Sequence, residues 1–304
     1  MFFIVGLLIG IIFPMQTAIN SKLRFKVGSP YLAAMVAFIV SSIFLGLITG
    51  LQGKSLLVSP ALFSTQPWWI WIGGILGIMG GTIPIILFPH LGSVQTVVIP
   101  IFGQVIMSML IDNFGWFASP IFKFSWLRLV GMIALLIGLL LVIVVRKSRR
   151  RQADFHQLFW QLLGLLAGAA LASQAAVNGR LGAVLRSPVH AAFISFLTGM
   201  LILVLGVSLL ERDLNHLKNG LGHGNPWWIW FGGLLGGLYV FGNSFLAPLI
   251  GTGATVIIVL LGNIVGGLLI DQFGFLGAHR YSITPRKGIG LILMLLGVSL
   301  VKFF

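Results

Sequence analysis

Four amide side chains stand in two matched pairs inside long apolar stretches of the sequence. Gln16 and Asn20 are four residues apart, and so are Gln174 and Asn178. Residues at this spacing share one face of a helix. Because an unsatisfied amide is costly in hydrocarbon, each pair is expected to face the interior of a helix bundle or a water-filled cavity. Two roles fit these amides: hydrogen bonds that join helices, or hydrogen bonds to a bound solute.

Three further amides lie deep in apolar stretches. Gln104 and Asn263 occupy equivalent mid-span positions, and Asn243 is a solitary amide in another stretch. Packing or the lining of a cavity would account for them equally well. The predicted substrate-binding set is therefore Gln16, Asn20, Gln104, Gln174, Asn178, Asn243 and Asn263. All seven are neutral, which favours a polar or zwitterionic solute over a bare cation.

Residues that usually do covalent or metal chemistry are scarce. The five acidic residues lie at or outside the ends of the apolar stretches: Asp112, Asp154, Glu211, Asp213 and Asp271. The six histidines are scattered without metal-ligand spacing, and cysteine is absent. No enzyme, catalytic residue, metal or cofactor is therefore predicted. A proton-coupled exporter of cations normally needs a carboxylate within the membrane, so the sequence does not support that mechanism.

The composition indicates the class of protein. Apolar residues make up 58% of the 304 residues and charged residues 8%, whereas a soluble domain has about 25% charged residues. The chain is therefore expected to be an all-α integral membrane protein. Its net charge of +14 comes from basic residues that cluster between the apolar stretches. This clustering favours membrane lipids, rather than nucleic acid, as partners.

Ten apolar segments predict ten transmembrane helices, since each span needs about 20 residues. They lie near residues 2–20, 30–50, 68–88, 93–111, 127–145, 158–178, 188–210, 227–248, 252–270 and 287–303. Only a few residues separate the third helix from the fourth, and the eighth from the ninth. Both pairs are expected to form tight hairpins.

The second half of the sequence repeats the first. Residues 5–35 align with 163–193 without gaps, and the segment Pro-Trp-Trp-Ile-Trp occurs at both 67–71 and 226–230. The predicted units are a first repeat at 1–145, a basic linker at 146–157 and a second repeat at 158–304. Five helices are an odd number, so equivalent loops lie on opposite sides of the membrane and the repeats are inverted. Inverted repeats around a midplane site are typical of secondary transporters.

The basic segment 146–151 predicts the orientation. Five of its six residues are Arg or Lys, so it lies in water and, by the positive-inside rule, in the cytoplasm. The side of the membrane that holds it then carries 13 of the 19 Lys and Arg residues. Both termini are therefore expected outside, with the protein in the plasma (inner) membrane.

Three smaller patterns concern packing and helix ends. Glycines spaced four apart, Gly6 with Gly10 and Gly164 with Gly168, predict close approach of helix backbones, either for packing or for sliding. The duplicated tryptophans are expected to begin the third and eighth helices as interfacial anchors. Asp112 and Asp271 end their helices, and the basic residues that begin the next helix are predicted partners: Arg128 for the first, Arg286 or Lys287 for the second.

Several motifs together resemble a known family. Gln-x-x-x-Asn ends the first helix, Pro-Trp-Trp-x-Trp-x-Gly-Gly-x-x-Gly opens the third, and Leu-Ile-Asp-x-Phe-Gly closes the fourth. The set resembles the YdcZ-like branch of the drug/metabolite transporter superfamily, here in a fused, double-length form. The resemblance covers nearly the whole chain and implies small-molecule transport by an inverted-repeat bundle. Small multidrug exporters of that superfamily have a membrane-embedded glutamate in the first helix, where this chain has Gln16.

The leading hypothesis is a secondary transporter that exports a small polar metabolite through a central cavity by alternating access. It would work as a single chain, with the first, third, fourth, sixth, eighth and ninth helices around the cavity. The alternative is a non-transporting membrane scaffold or lipid-binding protein, in which the amides serve packing only.

Overall fold

The structure is a computed structural model, and it describes residues 2–119, 121, 123, 125–143, 153–210, 216–222, 224–250, 252–277, 280 and 284–303. Within these ranges every regular element is a helix and no β-strand occurs, which confirms the predicted all-α fold. Six spans in the described residues are long and apolar enough to cross a membrane, and two shorter apolar helices accompany them. The chain is a multi-pass membrane protein.

The α-helices are numbered in chain order. They are α1 (Phe2–Val27), α2 (Pro30–Leu51), α3 (Pro60–Thr65), α4 (Gly73–Phe114), α5 (Trp126–Ile143), α6 (Ala153–Leu185), α7 (Pro188–Leu210), α8 (His216–Gly220), α9 (Gly232–Ile250), α10 (Thr252–Phe273) and α11 (Pro285–Phe303). At Gly92, with φ 75° and ψ 172°, α4 breaks into two segments, Gly73–Gly92 and Gln95–Phe114. Glycine adopts such a positive φ without steric cost, and the two segments match the third and fourth predicted helices.

A repeated Ser-Pro step starts α2 and α7. The Ser29 hydroxyl oxygen accepts hydrogen bonds from the backbone N–H groups of Tyr31 and Leu32 at 3.1 and 3.2 Å. Ser187 accepts one from the N–H of His190 at 3.2 Å. A serine before a proline supplies both the side-chain cap and the pre-set φ that a helix start favours.

Two helices are longer than predicted. α1 ends at Val27 and α6 at Leu185, rather than near residues 20 and 178. The basic residues Lys22 and Arg24 therefore lie on the helix and not in a loop. The prediction ended the helix where charge begins, but basic side chains are favourable in the last turns of a helix because of its dipole.

The duplicated tryptophan motifs also differ from the prediction. Trp68–Trp71 and Trp227–Phe231 are 3₁₀ turns, and the α-helices begin only at Gly73 and Gly232. The isoleucines of the motifs, Ile70 and Ile229, are 0% exposed, whereas Trp68 and Trp227 are 75% and 74% exposed. The motif therefore inserts one aliphatic side chain into the protein and keeps one indole on its surface. Two short helices, α3 and α8, lie in segments that were predicted as breaks.

One of the two predicted ion pairs is present. Arg128 Nη1 lies 4.0 Å from Asp112 Oδ2, which joins the end of α4 to the start of α5. The pairing of Asp271 with Arg286 or Lys287 stays a prediction. The basic segment 146–151, Glu211 and Asp213 lie outside the described residues, as does the side chain of Asp154.

Helices of one half pack on helices of the other half at glycines. A β-carbon at Gly10 of α1 would meet the backbone of α10, 2.9 Å from the nitrogen of Asn263. A β-carbon at Gly168 of α6 would meet the second segment of α4, 2.8 Å from the nitrogen of Gln104. Gly6 and Gly164 instead face side chains, those of Ile258 and Ile99. The predicted close approach of helix backbones is therefore present at Gly10 and Gly168, which are equivalent positions of the two halves.

Candidate functional site

A cavity of about 620 Å³ lies between helices of both halves. Its described lining comes from α1, α2, both segments of α4, α6, α7 and α9. The sequence analysis also predicted α10, which contributes no described lining residue, and it did not predict α2 and α7. Pro188, Ala192 and two phenylalanines bring α2 and α7 to the wall.

Five of the seven predicted amides meet at this cavity: Gln16, Gln104, Gln174, Asn178 and Asn243. The other two lie elsewhere in the bundle. Asn20 is 3% exposed and packs against Gly232, and Asn263 is 4% exposed and packs beside Gly10. The structure therefore places Asn20 and Asn263 at helix contacts, and a role in binding stays a prediction for all seven.

Glycines of one half make room for the glutamines of the other. A β-carbon at Gly236 would lie 2.8 Å from Nε2 of Gln16, and one at Gly77 would lie 2.5 Å from Nε2 of Gln174. These are equivalent positions in the two copies of the Gly-Gly-x-x-Gly pattern. These glycines therefore leave the space that Gln16 and Gln174 occupy at the cavity. The sequence signal for this contact is that the glycine pattern and the glutamine are both duplicated in the two repeats.

The amides differ in how far their hydrogen bonds are already used. Gln174 Nε2 donates to Ser195 Oγ at 3.3 Å, and Asn243 Nδ2 donates to the Tyr239 carbonyl of its own helix at 2.7 Å. The side chains of Gln16 and Gln104 make no hydrogen bond to any described residue. Asn178 Oδ1 also has no hydrogen-bond partner, but that atom is buried. Because the net gain from a hydrogen bond depends on what it replaces, Gln16 and Gln104 are well placed to serve a ligand.

Aromatic rings form much of the remaining wall. Phe13 contacts Tyr239 with ring centroids 5.0 Å apart, and Phe38 contacts Phe196 at 5.1 Å. All four rings line the cavity, and none of its described lining residues carries a charge. Such a site offers apolar surface with a few neutral hydrogen-bonding groups. Sequence reasoning missed these rings because an aromatic residue in a membrane helix carries no signal that separates a cavity wall from a lipid-facing surface.

The described lining of the cavity reaches one end of the bundle and not the other. Its lining extends along α6 to Asn178 and Gly179, and to Pro188 at the start of α7. The equivalent residues of α1, Asn20 and Ser21, are 3% and 1% exposed and lie outside the lining. We call these the α6 end and the α1 end of the cavity. We call the α6 end open because the described lining residues Ala175 and Gly179 are exposed there, and the α1 end closed because Asn20 and Ser21 are buried.

Comparisons with known proteins show a family that matches both halves of the chain and a solved structure with a similar fold. A family model described as "Putative inner membrane exporter, YdcZ" matches residues 1–141 and again 159–300. A solved structure described only as "Crystal structure of protein" is 15% identical, with a TM-score of 0.56 over 97% of this chain and 95% of its own. At that identity the likeness shows a shared fold. No curated protein sequence matches the chain significantly.

Proposed function

Since the chain belongs to the YdcZ family, whose model matches both of its halves, we propose that it is a secondary transporter that exports a small polar metabolite through the central cavity by alternating access. The matching family model is described as that of an inner membrane exporter, "Putative inner membrane exporter, YdcZ", which implies a transporter rather than an enzyme. The observation that carries the proposal is the meeting of five amides around one uncharged cavity. Neutral amides offer both donors and acceptors, and the aromatic walls favour a solute that also has an apolar part.

The proposed architecture is ten transmembrane helices in two inverted five-helix repeats. Its support is the exchange of contacts between the halves: α1 packs on α10 as α6 packs on the second segment of α4, at equivalent glycines. α5 and α11 follow the same rule, because Gly138 faces Gly290 and Gly297 faces Gly131. An odd number of helices in each repeat places such pairs in opposite orientations, as alternating access around a midplane site requires.

The same proposal covers assembly and orientation. Both halves contribute to the cavity wall, so one chain is enough to complete the binding site. The basic linker at 146–157 is cytoplasmic and both termini are outside, with the chain in the inner membrane, as its Lys and Arg distribution favours. The α6 end of the cavity then faces outward.

Ligand binding tests the function. Purified protein is screened by thermal shift against amino acids, nucleosides, sugars, polyamines and lipophilic cations, each at two pH values. A ligand at 100 times its dissociation constant should stabilise the protein by about 2.7 kcal/mol. Gln16→Ala and Gln104→Ala should each weaken a positive compound by about 2- to 12-fold, the range of one neutral hydrogen bond. Gln52→Ala, which removes an exposed glutamine at the end of α2, should leave the affinity unchanged.

A lipid-binding or scaffolding role is the rival function. An apolar groove of about 530 Å³ between α2 and α7, lined by residues such as Ile43, Leu47 and Met200, favours it. That role predicts a blank panel of solutes together with a lower melting temperature for Gln16→Ala. The same result would contradict the transport proposal, whereas equal loss of affinity in Gln52→Ala would show that the compound binds elsewhere.

A further inference from the structure

An arginine lies at the α1 end of the cavity and bonds to main-chain oxygens. Arg24, in the last turn of α1, donates from Nη1 to the carbonyl oxygen of Ile85 at 3.1 Å and to that of Ile86 at 3.2 Å. Both carbonyls belong to the first segment of α4. The contact therefore fastens the end of α1 to a helix that lines the cavity.

A proline explains why one of these carbonyls needs a donor. In an α-helix the carbonyl of Ile85 would accept from the N–H of the residue four positions later, which is Pro89. Proline has no N–H, so this carbonyl loses its partner within the helix. An unsatisfied carbonyl is costly away from water, and the Arg24 guanidinium supplies the missing donor with a positive charge.

Among the residues whose side chains the structure describes, the other end of the bundle shows no such contact. In the alignment of the two repeats, Gly182 stands where the first half has Arg24. The equivalent positions two residues earlier, Lys22 and Arg180, also differ in their contacts. Lys22 lies over the Trp228 ring at 4.8 Å from its centroid, whereas Arg180 is exposed. The end with the arginine contact is closed, and the end with glycine is open.

We propose that Arg24 is a gating residue that holds the α1 end of the cavity closed through the Ile85 and Ile86 carbonyls. Opening of the α1 end requires Arg24 to release both oxygens, whereas the described residues of the α6 end show no equivalent bond. The resting protein therefore favours the state that is open at the α6 end. This proposal rests on alternating access in the proposed function, and it adds the residue that biases the two states.

Cysteine accessibility tests the gate, because the chain has no cysteine of its own. One reporter is Ser21→Cys, at a residue that is 1% exposed in the closed α1 end. The other is Ala175→Cys, at an exposed lining residue of the open α6 end. The labelling rate of each with a polar maleimide is measured in nanodiscs, where both faces are accessible and no substrate is needed.

Arg24→Ala should shift the population toward the state that is open at the α1 end. Labelling at residue 21 should rise by about tenfold to a hundredfold, the equilibrium effect of losing hydrogen bonds from a charged donor, and labelling at residue 175 should fall. Lys26→Ala removes an exposed basic residue of the same turn and should change neither rate. If Arg24→Ala changes neither rate, or changes them no more than Lys26→Ala does, the proposal is wrong.

A second variant tests the role of the freed carbonyl and does not depend on the folding of Arg24→Ala. Pro89→Ala gives Ile85 an N–H partner within its own helix, so labelling at residue 21 should rise even with Arg24 intact. Arg24→Ala should then have a smaller effect in the Pro89→Ala background than alone. Equal effects in both backgrounds would refute the carbonyl mechanism. These rates do not depend on any solute. A blank ligand panel therefore counts against the proposed solute binding, whereas unshifted labelling counts against the gate, so the two failures are distinguishable.

Discussion

The contact of α6 with α4 at Gly168 gives a prediction whose size follows from the structure. A β-carbon there would lie 2.7 Å from the carbonyl carbon of Pro100 and 2.8 Å from the nitrogen of Gln104. Carbon atoms pack best at about 3.5–4.0 Å, and both neighbours are backbone atoms that no side-chain rotation can move. The two helices must therefore separate in Gly168→Ala, and overpacking of this kind costs about 1–3 kcal/mol.

A matched control isolates that cost. Gly206 lies inside α7 and a β-carbon there would meet nothing within 4 Å. Gly206→Ala should gain the helix propensity of alanine, about 1 kcal/mol, and Gly168→Ala gains the same amount before the overpacking is subtracted. The difference between the two variants should therefore be about 1–3 kcal/mol. It is measured by reversible unfolding in mixed detergent, followed by tryptophan fluorescence. Equal stability of the two variants would show that α6 and α4 are not packed as closely as described.

Two further predictions concern the tryptophan motif and the topology. Ile229→Ala should lower the free energy of unfolding by about 2–5 kcal/mol because its side chain is 0% exposed, whereas Trp227→Ala, at 74% exposed, should change it by less than about 1 kcal/mol. Similar losses from both variants would contradict the inward position of the isoleucine. A reporter pair fused after residue 304, alkaline phosphatase or green fluorescent protein, should be active as the phosphatase and dark as the fluorescent protein, because the positive-inside rule places the C-terminus outside. The reverse pattern would invert the proposed orientation.

Many helix boundaries could be predicted from the sequence because the same boundary signals occur in both repeats. The duplicated Ser-Pro steps start α2 and α7, and the break of α4 at Gly92 was visible as a short polar interruption between two apolar runs. The ends of α1 and α6 were misjudged, since hydropathy reports where hydrocarbon ends and not where hydrogen bonding of the helix ends. The 3₁₀ turns were missed because tryptophan at a membrane surface is compatible with several backbone conformations.

For the candidate site, the sequence predicts that the amides avoid lipid but not which of them lie at the cavity. An amide in an apolar helix must avoid lipid, so burial of all seven could be expected. Which of them reach a cavity depends on the neighbouring helix: Gln16 has Gly236 beside it and reaches the cavity, whereas Asn20 packs against Gly232 at the closed end. Both positions are polar and both are duplicated. Only the packing of α1 against α9 in the structure shows that Gln16 reaches the cavity and Asn20 does not.

The differences between the repeats matter as much as their identities. Gly10 and Gly168 are identical, and they hold equivalent backbone contacts that both halves need. A chain built of two identical inverted repeats would have equal energies for the states open at its two ends, because exchanging the repeats would exchange the states. Any preference must therefore come from positions where the repeats differ. Arg24 against Gly182 is such a position, and its hydrogen bonds lie at the end that is closed.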